Sequence, residues 1–319
     1  MAQQCNESTG AADSACMRAP ALLVILVSSL LTACAGRTPP PRQPLMPGQI
    51  MPTKTIVFVH GMFVTPSCWK KWQAYFEARG YRTLAPAWPE HDPPAATQRA
   101  RHPNAALGKL ELADVLERYR QVIRGLNEKP ILVGHSMGGL VVQLLLQEDL
   151  GVAGIAIDSA PPKGVLTLKW SFLKSNWPVL SPFATKTKPV LLDEARFHYA
   201  FTNTLDPATA HAAYESESVP ESRLVGRGPL TALAKIDFAR PRPPLLLVAG
   251  AEDHIIPAVL NEKNFAHYRK GPSITELKVF PGRDHWLIAS DGWEEIADYV
   301  RGWIEKGQRQ ASAVTVGAR

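Results

Sequence analysis

The sequence predicts an α/β domain: a mostly parallel sheet with helices on both faces and a helical segment inserted late in the chain. Three observations lead there. Short, continuous apolar runs alternate with amphipathic stretches in two blocks, residues 54–160 and 240–305. Between them, over residues 161–239, the alternation is lost. The composition of the 319-residue chain, 45% hydrophobic and 20% charged, is that of a globular protein with a sizeable core.

In chain order, residues 54–59 read as a buried strand, 66–79 as a helix that Gly80 ends, and 81–86 as a second strand. Residues 108–126 carry Leu112, Leu116, Tyr119, Ile123 and Leu126 on one stripe, the spacing of a helix with one buried face. A strand at 131–133, a Leu- and Val-rich helix at 137–147 and a strand at 152–157 follow. The second block repeats the pattern: strand 245–249, helix 259–268, strand 275–280, helix 292–303. Strict alternation implies parallel strands covered on both faces. The tail, 306–319, is expected to fray.

The insertion 161–239 holds prolines, aromatics and helical pieces at 192–199 and 207–214. A structureless loop of that length is rare inside a compact domain, so a helical lid is expected. Trp170, Phe172, Trp177, Phe197, Tyr199 and Phe201 either line a pocket or bury the lid's own core; both readings stay open.

The motif Gly134-His135-Ser136-Met137-Gly138 falls between a predicted strand and a predicted helix. G-x-S-x-G in that context places a serine on a sharp turn, with glycines leaving room for neighbouring backbone. A chance glycine-rich turn is the bland alternative. A phosphate loop lacks its lysine.

A serine hydroxyl needs a base, and the base needs an oriented carboxylate. Asp253 follows the strand at 245–249 and His285 follows the strand ending at Phe280, both just past carboxyl ends of strands, where such sheets place their sites. Asp158, past the strand at 152–157, is the alternative acid. Asp284 and His254 are sequence neighbours of these groups, with side chains expected to diverge from the site. His91, Asp92 and His102 lie in a Pro/Ala-rich loop without metal-ligand spacing, so no metal is expected.

With Ser136, Asp253 and His285 in that chain order, the sequence resembles the α/β-hydrolase esterases, lipases and lysophospholipase-like enzymes over about residues 54–305. The resemblance implies that His60-Gly61-Met62-Phe63 forms an oxyanion loop braced by His60, in which the amides of Met62 and Met137 hold the developing charge. It also implies a carboxylic ester or lipid-like acyl substrate, an acyl-enzyme and no cofactor. A perhydrolase or a carbon–carbon bond hydrolase uses the same triad, and a degenerate scaffold that only binds lipid or a partner is the non-enzymatic alternative.

At the other end, residues 19–36 are uncharged and contain an apolar run at 21–27 after Arg18, which reads as a secretion signal, with a simple anchor helix as the competing reading. Leu31-Thr32-Ala33-Cys34 resembles the lipobox of bacterial lipoproteins. That resemblance implies removal of residues 1–33, lipidation of Cys34 and attachment to a membrane of the bacterial envelope. Residues 1–16 carry Glu7 and Asp13 without a basic residue, as an over-extended start would, and Met17-Arg18 is the more usual beginning. Residues 34–53, with six prolines after Cys34, read as a semi-rigid tether. Cys68 is expected to pack rather than react, and no disulfide framework is expected.

The net charge is +6; residues 1–33 carry −1, leaving +7 for a chain that begins at Cys34. That excess suits an anionic membrane. The basic residues are scattered rather than clustered with aromatics, which excludes a nucleic-acid partner.

Overall fold

The computed structural model describes residues 49–317. The first block contains β1 (Thr55–Val59), α1 (Lys70–Glu77), β2 (Arg82–Leu84), α2 (Ala95–Ala100), α3 (Ala105–Lys109), α4 (Leu112–Arg124), β3 (Ile131–His135), α5 (Met137–Gln147) and β4 (Ala153–Ile157). The insertion contributes α6 (Trp170–Leu180), α7 (Glu194–Phe201), α8 (Pro207–Glu217) and α9 (Arg223–Arg227). The chain closes with β5 (Leu245–Gly250), α10 (Ala258–Tyr268), β6 (Thr275–Phe280) and α11 (Trp293–Gly317).

The six strands form one sheet in the order β2-β1-β3-β4-β5-β6, and every neighbouring pair is parallel. β1, β3, β4 and β5 are buried along their whole length, as expected for strands covered on both faces. β2 lies at the edge and is only partly buried. The chain leaves β1 for β2 on one side and continues through β3 on the other, so the strand order reverses between β1 and β3. Ligands of open α/β sheets bind at the carboxyl ends of strands at such a point.

Some boundaries differ from the sequence reading. The stretch expected as one helix from 108 is two: α3 ends at Lys109, Leu110 is extended, and the Asp114 side chain accepts the Glu111 amide at 2.9 Å to start α4 anew. Residues 66–69 form a single 3-10 turn before α1, with Thr65 at its start. The tail expected to fray is instead the continuation of α11 to Gly317. Its persistence has a visible cause in the residues expected to end the tether: Ile50 is buried and donates its amide to Gly307 O at 3.1 Å, while Gln308 Nε2 donates to Thr53 O at 2.9 Å. Residues 49–53 therefore pack on α11 rather than belonging to a free spacer.

The expected signal (1–33), Cys34 and the rest of the tether lie outside the described residues. Among the described residues no helix is long and apolar enough to cross a membrane.

Candidate active site

Ser136 occupies the residue between β3 and α5 with φ 57° and ψ −122°. A non-glycine residue at such a φ costs about 1–3 kcal/mol and persists only where the surroundings enforce it. Here the enforcement is backbone pairing: the Ser136 amide donates to Ile157 O at 2.9 Å, and its carbonyl accepts from Ala160 N at 2.9 Å and Gly139 N at 3.0 Å. The helix start is jammed against β1, since a Cβ on Gly138 would fall 2.2 Å from Val59 O. Only glycine permits that approach.

His285 Nδ1 stands 2.6 Å from Asp253 Oδ2 and 4.0 Å from Asp158 Oδ2, with all three side chains fully buried. Asp253 is itself held, because its Oδ1 accepts from the amides of Ile255 and Ile256, each at 2.8 Å. The donor to Asp253 is the His285 Nδ1–H, which leaves Nε2 as the basic nitrogen. Nε2 is buried and has no hydrogen-bond partner among the described residues. The residues on either side are locked together: His135 Nε2 donates to His285 O at 2.9 Å, and the two rings are 4.4 Å apart. Burial, then the neighbouring His285, push the His135 pKa well down, so His135 stays neutral.

Asp158 has a different environment. Burial first, and then the charge of Asp253, raise its pKa well above the ordinary carboxyl range, against one stabilising hydrogen bond from Gly250 N at 2.7 Å. The neighbourhood thus contains one oriented carboxylate, Asp253, and one carboxyl group whose ionisation burial disfavours. Atoms of His135, Asp158 and His285 lie within 4.8 Å of one another, but His135 Nε2 is already bonded to a carbonyl and His285 Nδ1 to Asp253, which makes them a poor ligand set for a cation.

The loop after β1 lies against the serine. A Cβ on Gly61 would fall 2.7 Å from Ser136 Cβ. His60 braces this loop: its Nδ1 bonds Gly61 O at 2.9 Å, its Nε2 accepts the Trp88 amide at 3.2 Å, and its ring stacks on Trp88 at 4.5 Å. Burial, followed by the proximity of His91, lowers its pKa well below the usual value. Among the described residues neither the Met62 nor the Met137 amide has a protein acceptor, and both residues line one cavity with Ser136.

That cavity has a volume of about 360 Å³. Its walls are Met62, Phe63 and Met137 from the sheet domain and Phe172, Val179 and Phe201 from the insertion. The aromatic residues of the insertion therefore divide. Phe172 and Phe201 face the cavity, Phe197 is buried and stacks on Phe201 at 4.7 Å, and Trp170 and Trp177 are exposed.

Several contacts at the site have no local sequence signal. Phe63, at φ 64°, offers its carbonyl to the Val219 amide at 3.1 Å. Thr65 Oγ1 and Ser67 Oγ donate to Glu217 at 2.8 and 2.6 Å. The insertion thereby grips the loop after Met62. A second grip is the fully buried pair His91–Glu221, 3.1 Å apart. His254 bonds Tyr199 O at 2.9 Å, and Asp284 accepts from Thr204 N at 2.9 Å and from its Oγ1 at 2.7 Å. Cys68 is buried, and burial followed by the Glu217 charge pushes its thiol pKa well up, which leaves it unreactive.

The sequence profile of the alpha/beta hydrolase family matches residues 56–299. The chain belongs to that family. Solved structures share its fold. A monoacylglycerol lipase from Paleococcus ferrophilus superposes with a TM-score of 0.59 at 20% identity, over 81% of this chain and 97% of that one. A pyrethroid hydrolase from Sphingobium faniae JZ-2 gives 0.58 at 17%, over 79% and 97%. Tomato methylketone synthase I, as a variant in complex with beta-ketoheptanoate, gives 0.59 at 18%, over 81% and 100%. Comparison with curated proteins by sequence finds no match. At these identities the likeness establishes the fold of this hydrolase and leaves its substrate to the site itself.

Proposed function

We propose that this hydrolase cleaves carboxylic esters with an apolar acyl group through Ser136, His285 and Asp253. The observation that carries the reading is the 2.6 Å contact between His285 Nδ1 and Asp253, which leaves Nε2 unbonded, beside a strained Ser136 whose cavity shares the wall residue Phe201, its ring 5.0 Å from that of His285. His285 Nε2 takes the Ser136 proton as Oγ attacks the ester carbonyl. The oxyanion that forms is met by the Met62 and Met137 amides, each such donor being worth on the order of 3 kcal/mol in comparable sites. Collapse of the intermediate breaks the ester bond, and His285 returns the proton to the leaving alcohol. Water, deprotonated by the same nitrogen, then releases the acid and restores the serine.

The cavity supports an apolar acyl group, since apart from the Ser136 hydroxyl its walls carry one amide, Asn176, and one cation, Lys163, among otherwise apolar side chains. The insertion roofs the cavity and acts as the lid. The lipobox-like sequence at Cys34 supports a lipid-anchored enzyme of the bacterial envelope. The test is a series of p-nitrophenyl esters of graded chain length, assayed beside Ser136→Ala. Turnover that rises with chain length to the cavity's limit and vanishes in the variant supports the reading, and equal turnover by the variant refutes it.

A further inference from the structure

The insertion has an outer face that ester chemistry does not use. From Ser159 to Leu192 the chain contains no Asp or Glu, while Lys163, Lys169, Lys174, Lys186 and Lys188 are all exposed. Interleaved with them are large apolar side chains open to solvent: Leu166 at 65%, Leu168 at 88%, Trp170 at 73%, Trp177 at 56% and Phe183 at 90%. Within α6, Trp170, Leu173, Lys174 and Trp177 fall at helical spacing on one stripe, and all are exposed. The opposite stripe, Phe172, Asn176 and Val179, lines the Ser136 cavity.

We propose that this face seats on an anionic phospholipid bilayer, with α6 lying in the interface between lipid and cavity. The helix is held as a plate: Asn176 Nδ2 donates to Ile255 O at 3.0 Å, Arg223 Nε to Pro178 O at 3.0 Å and Arg227 Nε to Val179 O at 3.1 Å. Leu166 and Leu230 are both exposed and both line the cavity, so the apolar face runs continuously into it.

Charge complementarity selects the occupant. Tryptophan and leucine enter the headgroup boundary, while lysine stems lie along apolar surface with their ammonium groups at the phosphates. A second copy of the chain is disfavoured, because a two-fold contact would set these lysines against themselves with no acid in the segment to pair them. The inference concerns binding alone and stands apart from the hydrolytic reading.

The test uses the full chain with Cys5, Cys16 and Cys34 replaced by alanine; Cys68 is buried and stays. A polarity-sensitive dye is placed through Leu168→Cys or Phe183→Cys. The control position is Lys129→Cys, two residues before β3 and so at the amino ends of the strands. Vesicles of equal parts phosphatidylglycerol and phosphatidylcholine are expected to shift the emission at 168 and 183 to the blue and to leave 129 unchanged. Pure phosphatidylcholine is expected to bind far more weakly. Each lysine near an anionic surface contributes roughly fivefold to partitioning, so Lys169→Gln with Lys186→Gln lowers it roughly 25-fold.

No shift at 168 and 183 overturns the proposal, as does an equal shift at 129 or an equal response to neutral vesicles. An emission already blue before lipid is added, and unchanged by it, assigns the face to a second copy or to another segment of the chain, and overturns it too.

Discussion

Gly61 and Ser136 come so close that a Cβ on the glycine would stand 2.7 Å from the serine Cβ, with His135 O at 3.1 Å from the same point. The loop after β1 and the turn after β3 are thus fitted to each other at the place where the strand order reverses. Gly61→Ala forces the Met62 amide away from the serine. A misplaced oxyanion donor costs about 10²–10³ in kcat. That loss is expected in ester hydrolysis, with the far-ultraviolet circular dichroism of the parent retained.

The two buried carboxyl groups near His285 should respond oppositely to amidation. Asp253→Asn removes the charge that orients the imidazole and should lower kcat by about 10⁴. Burial and the Asp253 charge disfavour ionised Asp158, so Asp158→Asn should keep activity within about tenfold of the parent. The sign of the stability effect follows. A carboxyl group whose pKa is raised by folding favours the folded state fully below about pH 4, and this is lost as pH rises toward the raised value. The asparagine variant should therefore melt at a higher temperature than the parent at neutral pH. Thermal unfolding of both variants checks this.

His91 and Glu221 join the sheet domain to the insertion. Burial alone would lower the His91 pKa, but the Glu221 carboxylate outweighs it and holds the imidazole above its usual value. A histidine raised in the folded state adds stability that is complete below about pH 6.5 and is lost as pH climbs through the raised value. Urea unfolding of the parent and of His91→Gln should give midpoints well apart near pH 6 and converging above that value. A gap that widens with pH would contradict the pairing.

The sheet, and the places where its strands end, were legible because buried parallel strands write themselves as continuous apolar runs such as Ile131 to Val133 and Leu245 to Ala249. Ser136 and Asp253 were legible for the same reason, since each lies just past such a run, whereas His285 lies past the partly buried edge strand β6, in which Glu276 and Lys278 alternate with Leu277 and Val279. The choice between Asp253 and Asp158 was not, because it depends on a 2.6 Å against a 4.0 Å separation set by how β4, β5 and β6 stack side by side. The Thr65–Glu217 and His91–Glu221 contacts join residues 152 and 130 positions apart, and no local pattern encodes them. The continuation of α11 past Lys306 was misread because Gly307 and Gln308 bond Ile50 and Thr53, residues from the other end of the described chain.

The central claim is that Ser136 is the nucleophile. Intact-mass spectrometry after treatment with a fluorophosphonate probe tests it most directly. One adduct per chain is expected, mapped to the peptide that holds Ser136, absent in Ser136→Ala and reduced to a slow background in His285→Ala. Unlabelled parent protein that is shown to be folded, or an adduct that persists in Ser136→Ala, would contradict it.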